Sequence, residues 1–466
     1  MNFLFRNRWF PLAAQLVLLA VFVALIIGGL AAHKAGPALF KELKNTNLAN
    51  LVVWSFWWPL IVLSAIFLGR AWCMVCPMEL VTSMAAKVGM KKRPPAFLKS
   101  GWVITLFFAA ILFVGIQMFE IHRVPFRMAL YMLTLLAAAL VTGFLYSRNT
   151  FCGHVCPVGH LLGLYARLAP MGWGVRDRKI CQNCPDRSCI AVRNAYRFQG
   201  RSCGVGLVPD RINDNTDCLL CGQCVKACAW NNPGAKGRPN PGWFIRPWFK
   251  DILALKPLTM AQAVFVLVVS GFVIHEIFTE WKLTSGWVLW VPERIAALVG
   301  AGSTWNQGLI RSLTLFAILP VLIVLVPYGF FRLLGGTLKL GKFLLRFGLA
   351  FIPITAAAHA VKSLLKMSSR IPYWGHAFRD PVGTGTAKSI LGKSVSLVPL
   401  PGWCGPVVTA GSLVLIIGGI VLSAVTVRRL TKTMTPDAGW RNFVFYLIPV
   451  LYGGAFVAML VAWRLF

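Results

Sequence analysis

Long apolar runs decide what this chain can fold into. Stretches long enough to span a bilayer fall at roughly 11–32, 49–69, 102–120, 129–147, 258–280, 310–331, 343–365, 406–427 and 442–464. Lipid offers no water to backbone N–H and C=O groups, so such runs must be helices. The expected fold class is an all-α polytopic membrane protein with about nine transmembrane helices. One stretch interrupts the series. Residues 148–257 are rich in Gly, Pro, Asn and Asp and hold no run of that length. Three parts follow: a membrane domain over 1–147 that ends in paired cysteines, an insert over 148–257, and a second membrane domain of about five helices over 258–466.

Charge narrows the class. Only 13% of the 466 residues are charged and 57% are hydrophobic, yet the net charge is +33. A nucleic-acid binder would spread basic residues through a polar chain, so that class is excluded. The Lys and Arg read instead as a positive-inside signal. Arg6 and Arg8 place the N-terminus in the cytoplasm. Alternation then puts Lys91, Lys92, Arg93, the insert, Lys339, Lys342, Arg428 and Arg429 on the same side. The loop over 366–405, with Lys366, Arg370, Arg379, Lys388 and Lys393, must lie outside; long loops cross with weak regard to charge. The first run is too long for a signal peptide core and reads as a retained anchor. The expected location is the inner (cytoplasmic) membrane.

The insert carries the chemistry. Cys218-x2-Cys221-x2-Cys224-x3-Cys228 has the spacing that wraps a cubane iron–sulfur cluster, in which the fourth cysteine reaches across to a second one. Cys181-x2-Cys184-x4-Cys189 and Cys203 lie upstream. Eight thiolates supply two 4Fe–4S clusters: Cys181, Cys184, Cys189 and Cys228 for one, Cys218, Cys221, Cys224 and Cys203 for the other. A zinc ribbon needs only four sulfurs and does not need the CxxCxxC run. The insert is therefore expected to be a small α+β dicluster ferredoxin-like domain, held together by its clusters as much as by a core.

Two further pairs sit at helix ends. Cys73 and Cys76 are followed by Pro77, and Cys152 and Cys156 by Pro157. The two stretches, 49–90 and 129–170, echo each other: a helix ends in Arg, then two cysteines, then Pro. Four thiolates from neighbouring helices would close a third site, for a 4Fe–4S cluster or a single metal ion.

This combination resembles the NapH/NosR type of membrane ferredoxin. The resemblance covers roughly residues 10–250. The family pair is CxxxCP; Cys152–Pro157 matches it, and Cys73–Pro77 is one residue shorter. The resemblance implies a membrane quinol dehydrogenase subunit that passes electrons between the quinone pool and a redox protein partner or a larger membrane complex. The copper-reducing oxidase assembly factors are similar in plan. Met74 and Met78, soft ligands beside the first pair, motivate that alternative. An anchor or relay subunit of a larger reductase is a third reading. Whether the chain is itself an enzyme, and which way electrons flow, stay open in the sequence. The basic insert suits an acidic ferredoxin or flavodoxin as partner.

There are seven histidines. His154 and His160 flank the second cysteine pair. His275 and His359 lie within two different spans, each about 16 residues past its cytoplasmic start, hence at similar depth. Ionisable residues inside a membrane point to function. The pair would ligate a b-type haem or hydrogen-bond a quinone, with Glu276 or Glu120 taking a proton; a polar packing contact is the plain alternative. Most of a ~30 Å hydrocarbon core would separate such a site from cytoplasmic clusters. Cys404 is left without a role.

Overall fold

The computed structural model describes residues 4–7, 9–34, 36–228 and 241–465; Arg8 and the side chain of Arg6 lie outside them. The helices used below are α1 (Leu12–His33), α2 (Leu48–Leu68), α3 (Pro77–Val88), α4 (Trp102–Ile116), α5 (Pro125–Leu145), α6 (Met260–Phe278), α7 (Thr304–Leu333), α8 (Leu340–Arg379), α9 (Cys404–Met434) and α10 (Pro436–Arg464). Among the described residues, eight of these are long and apolar enough to cross a membrane: all but α3 and α4. The chain is an all-α, multi-pass membrane protein. The stretch expected over 102–120 folds as the shorter apolar helix α4, which at 1.5 Å per residue reaches only about 22 Å. Its end is set by a turn in which Glu120 takes a positive φ of 48°.

Among the described residues, the only sheet is a two-stranded antiparallel one. It joins β1 (Met171–Val175) to β2 (Pro241–Ile245), with Trp173 opposite Trp243. The sheet brackets the cysteine-rich segment. Between its strands the described backbone is mostly irregular, with short helices at Arg178–Gln182 and Gln223–Ala227.

Two compact units make up the chain. The first holds Met1–Ile26, Leu63–Ile104 and Met132–Asp251; the second holds Ile27–Val62, Thr105–Tyr131 and Ile252–Phe466. The boundaries fall inside α1, α2, α4 and α5. In the first unit a small apolar core joins Phe5, Ala71, Met74, Trp173, Leu220, Val225 and Trp243. In the second, α8 and α9 approach closely at Gly419, where a Cβ would meet the Pro353 carbonyl oxygen at 2.9 Å. Hydroxyls join the helices there, as expected where apolar surface gives no drive for association. Ser423 Oγ donates to the Ala350 carbonyl at 2.6 Å, and Ser270, Thr355 and Tyr452 form a chain at 3.0 and 3.1 Å.

Candidate iron–sulfur sites

The two helix-end pairs reach the same backbone shape by different routes. Cys73 lies in an α-helical segment, Ala71–Val75, and Cys76 leaves it extended, at φ −62° and ψ 129°. Cys152 lies in a π-turn, Phe151–Val155, and Cys156 leaves it at φ −52° and ψ 117°. A residue before proline is pushed out of the helical region, which explains both exits. The Cys156 N–H reaches back five residues to the Phe151 carbonyl at 2.8 Å. A π-turn takes one more residue than an α-turn. The extra residue of the second pair is thus absorbed in its turn, and the one-residue difference between the motifs has a structural reason.

Electrostatics show which thiols are neighbours. Burial pushes the Cys156 thiol up to about 12, with Cys73 as the next cause. Burial also raises Cys76, where Cys73 and Cys156 add to the effect, and Cys152, where Glu79, Cys156, Cys76 and Cys73 add to it. These four cysteines come from the two helix-end motifs and act on one another electrostatically.

The insert yields two more sets. Burial raises Cys224, with Cys221, Cys218 and Cys203 the next causes. Leu220 and Gly222 both have positive φ, 53° and 70°, so the CxxCxxC loop curls tightly. A Cβ at Gly222 would lie 2.0 Å from the Phe5 ring. The Leu207 N–H points at Cys203 Sγ at 3.3 Å. Approach to Cys218 is fixed by Thr216, whose carbonyl accepts from Arg70 at 2.9 Å and whose hydroxyl accepts from Arg167 at 3.1 Å. In the remaining set, burial lifts Cys189 to about 11, followed by Cys228 and Cys181, with Cys184 a smaller cause. Cys181, Cys184, Cys189 and Cys228 line one cavity of about 520 Å³.

The donor chemistry fits iron–sulfur clusters. A buried thiol raised this far stays protonated unless a cation replaces its proton, so loading a cluster releases protons and stabilises the fold. Among the described residues, no three His, Cys, Asp or Glu side chains close on a single ion. Cys181, Cys184, Cys189 and Cys228 line a cavity with room for a cluster. Met74, considered as a copper ligand, is packed in the apolar core.

Three residues without an expected role lie between sets. Glu79 is 1% exposed, and Gln15, Asn149 and Arg201 all donate to its carboxylate, the first two at 2.8 and 2.7 Å. Its charge acts on Cys152 of one set and Cys221 of another. Buried Arg70 hydrogen-bonds Cys73 and acts on both Cys156 and Cys218. The sequence signal was faint: Glu79 is one of only 14 acidic residues and sits three positions after a cysteine of the motif.

Comparison with known proteins bears on these sites. The family described as "4Fe-4S binding domain" matches residues 50–95 and 128–180, which hold the two helix-end pairs. The chain is 30% identical over 203 residues to protein NirI of Paracoccus denitrificans, covering 38% of this chain and 27% of NirI. It is 28% identical over 95 residues to the ferredoxin-type protein NapH of Escherichia coli, covering 20% of this chain and 32% of NapH. Over these segments the chain is similar to ferredoxin-type proteins. An uncharacterised protein of Methanocaldococcus jannaschii is 25% identical over 172 residues, covering 36% of this chain and 64% of its own length. The chain therefore spans less than two thirds of each of these relatives. No solved structure matches it.

The family match stops short of the C-terminal helices, where the second unit holds its own polar cluster. His359 Nε2 accepts the Trp58 indole N–H at 3.2 Å. His275 Nε2 pairs with the Gln117 amide at 3.0 Å. An axial haem needs both Nε2 atoms turned to one iron across a flat slot. Here each nitrogen is engaged elsewhere, so the pair does not fit a haem. His122, Glu276, His359, Lys362 and Lys366 border a space of about 30 Å³. That is room for a water, not for a quinone ring. Lys362 bridges Glu276, at 3.2 Å, and Glu280. Lys366 does not lie in a loop; it stays helical in α8 and sits over the Trp54 ring at 5.5 Å. Cys404 opens α9 in the second unit.

Proposed function

We propose that this chain is an inner-membrane iron–sulfur protein that carries electrons between the quinone pool and a redox partner. Twelve of its 13 cysteines would hold three 4Fe–4S clusters, in the sets Cys73/Cys76/Cys152/Cys156, Cys203/Cys218/Cys221/Cys224 and Cys181/Cys184/Cys189/Cys228. The grouping of thiols from distant segments into sets of four is the observation that carries this reading. When bound, the clusters would supply one-electron steps. The chain's own part is placement: thiolates fix the spacing, and Arg70, Glu79 and Arg201 set the local field. The insert, bracketed by β1 and β2, would be the ferredoxin-like domain over 148–257. It would stand between membrane domains over 1–147 and 258–466.

Orientation follows from the same grouping. Cys73 and Cys152 can meet only if the chain crosses the membrane an even number of times between them. α5 supplies one crossing, so α4 would supply the other despite its length. The Lys and Arg flanking these helices, Lys91, Lys92 and Arg93 above all, favour the cytoplasmic side.

The test is anaerobic addition of menaquinol to the purified protein in lipid nanodiscs, followed by EPR. The expected result is the spectrum of reduced 4Fe–4S clusters. Intact clusters that menaquinol leaves oxidised would overturn the quinone part. Stoichiometric copper binding in that case would favour the assembly-factor reading.

A further inference from the structure

The three cysteine sets differ in what surrounds them. Between the two sets at the helix ends and around Cys218 lie Arg70, Glu79 and Arg201, all buried. The cavity lined by Cys181, Cys184, Cys189 and Cys228 is different, because exposed Arg178, Asp186, Arg187 and Arg211 share its lining. Electron tunnelling falls steeply with distance, so a protein partner must reach a cluster that lies near the surface. This set offers that approach.

Its surroundings select the partner by charge. Over 176–211 the exposed basic side chains are Arg176, Arg178, Lys179, Arg187, Arg193, Arg197 and Arg211. Against them stand Asp177, Asp186 and Asp210 alone. Asp186 is already engaged by Arg193 at 3.4 Å, and Arg178 is aimed by a hydrogen bond to Asn213 at 3.1 Å. Exposed Val192 adds an apolar contact on the same segment. Transient redox encounters are small and are steered by opposite charge rather than by buried area.

We propose that the face formed by Arg178, Arg187 and Arg211 around Cys181, Cys184, Cys189 and Cys228 docks a small acidic one-electron carrier protein. This rests on the iron–sulfur reading above and adds the partner's chemistry and the place of exchange. One electron leaves the carrier's reduced iron–sulfur centre, which is oxidised, and reduces one cluster of this chain. No bond is made or broken, and no proton moves.

The test uses the cluster-loaded full chain in uncharged nanodiscs. The probe is a recombinant acidic [2Fe–2S] ferredoxin, reduced beforehand and mixed in a stopped-flow instrument. The second-order rate is expected to fall about tenfold as salt rises from low to near-molar concentration. The triple variant R178E/R187E/R211E should lower the low-salt rate by about tenfold or more while its EPR cluster signals persist. Should that variant fail to load clusters, R176E/K179E gives the same test, because neither side chain lines the cavity of the thiols. Reduction by methyl viologen radical, a small cation, should not slow in either variant. A ferredoxin rate indifferent to both salt and arginines would overturn the docking face. So would a wild type that viologen reduces and ferredoxin does not, and either result leaves the cluster reading standing. Loss of anionic-vesicle binding with an unchanged ferredoxin rate would assign the arginines to lipid and also overturn the proposal. Absence of cluster signals in the wild type would instead sink the iron–sulfur reading itself.

Discussion

Arg201 donates to the Glu79 carboxylate at a place where neither side chain meets solvent, with 8% and 1% of their surface exposed. Two charges are stable there only because each satisfies the other and because Gln15 and Asn149 complete the carboxylate's hydrogen bonds. Glu79 comes from α3 and Arg201 from the insert, so the pair ties the helix-end cysteines to the cysteine-rich insert. The substitution E79Q keeps the shape and removes the negative charge. Both cluster potentials nearest Glu79, those held by Cys152 and by Cys221, should rise, by on the order of 50 mV. An EPR-monitored redox titration measures this. Unchanged potentials would mean that the pair serves packing alone.

Iron content should separate the three sets. C152S or C76S should remove about four irons per chain and leave the other clusters, whereas C404S should leave the count unchanged. If C152S lowers iron no more than C404S does, the helix-end set is not a cluster site.

Lys362 bridges two carboxylates, and this makes its substitutions unequal. E276Q leaves Lys362 paired with Glu280 and should cost about 1–2 kcal/mol. K362M leaves the more buried Glu276 carboxylate without its lysine and should cost about 3 kcal/mol or more. Thermal unfolding in detergent compares them. Equal losses would contradict the bridging geometry.

His160 gives stability a pH dependence. Burial lowers its pKa to about 4, from 6.5 in the unfolded chain, and its Nε2 lies 3.1 Å from the Gly101 carbonyl. The unfolded chain therefore binds the proton more readily between these values. Stability is full above pH 6.5 and is lost as pH falls toward 4, by about 1–3 kcal/mol. The midpoint temperature of H160Q should fall less between pH 7 and pH 5 than that of the wild type. Parallel falls would assign the acid sensitivity to other groups.

What the sequence made legible was whatever depends on spacing along the chain. The apolar runs announced the helices because each must be long enough to cross lipid. The cysteine spacings point to the proposed sets because a cubane fixes the distance between its ligands. α4 is shorter than its apolar run, which continues past Ile116, because the backbone turns at Glu120. Charge at Lys366 ends the apolar run, which suggests a loop there, yet α8 continues beyond the run. Meetings between segments were not legible. Nothing in the pattern says that Trp58 would take His359, or Gln117 His275, and those two contacts are what separate the histidines as haem ligands. Glu79 and Arg201 are 122 residues apart and share no motif.

The most direct measurement is iron, sulfide and haem content of the anaerobically purified protein, with EPR after dithionite reduction. The account predicts about twelve irons and twelve sulfides per chain, interacting 4Fe–4S signals and no haem. About eight irons would remove the cluster at Cys73, Cys76, Cys152 and Cys156 and leave those residues needing another role. Zinc in place of iron would contradict the electron-transfer account as a whole.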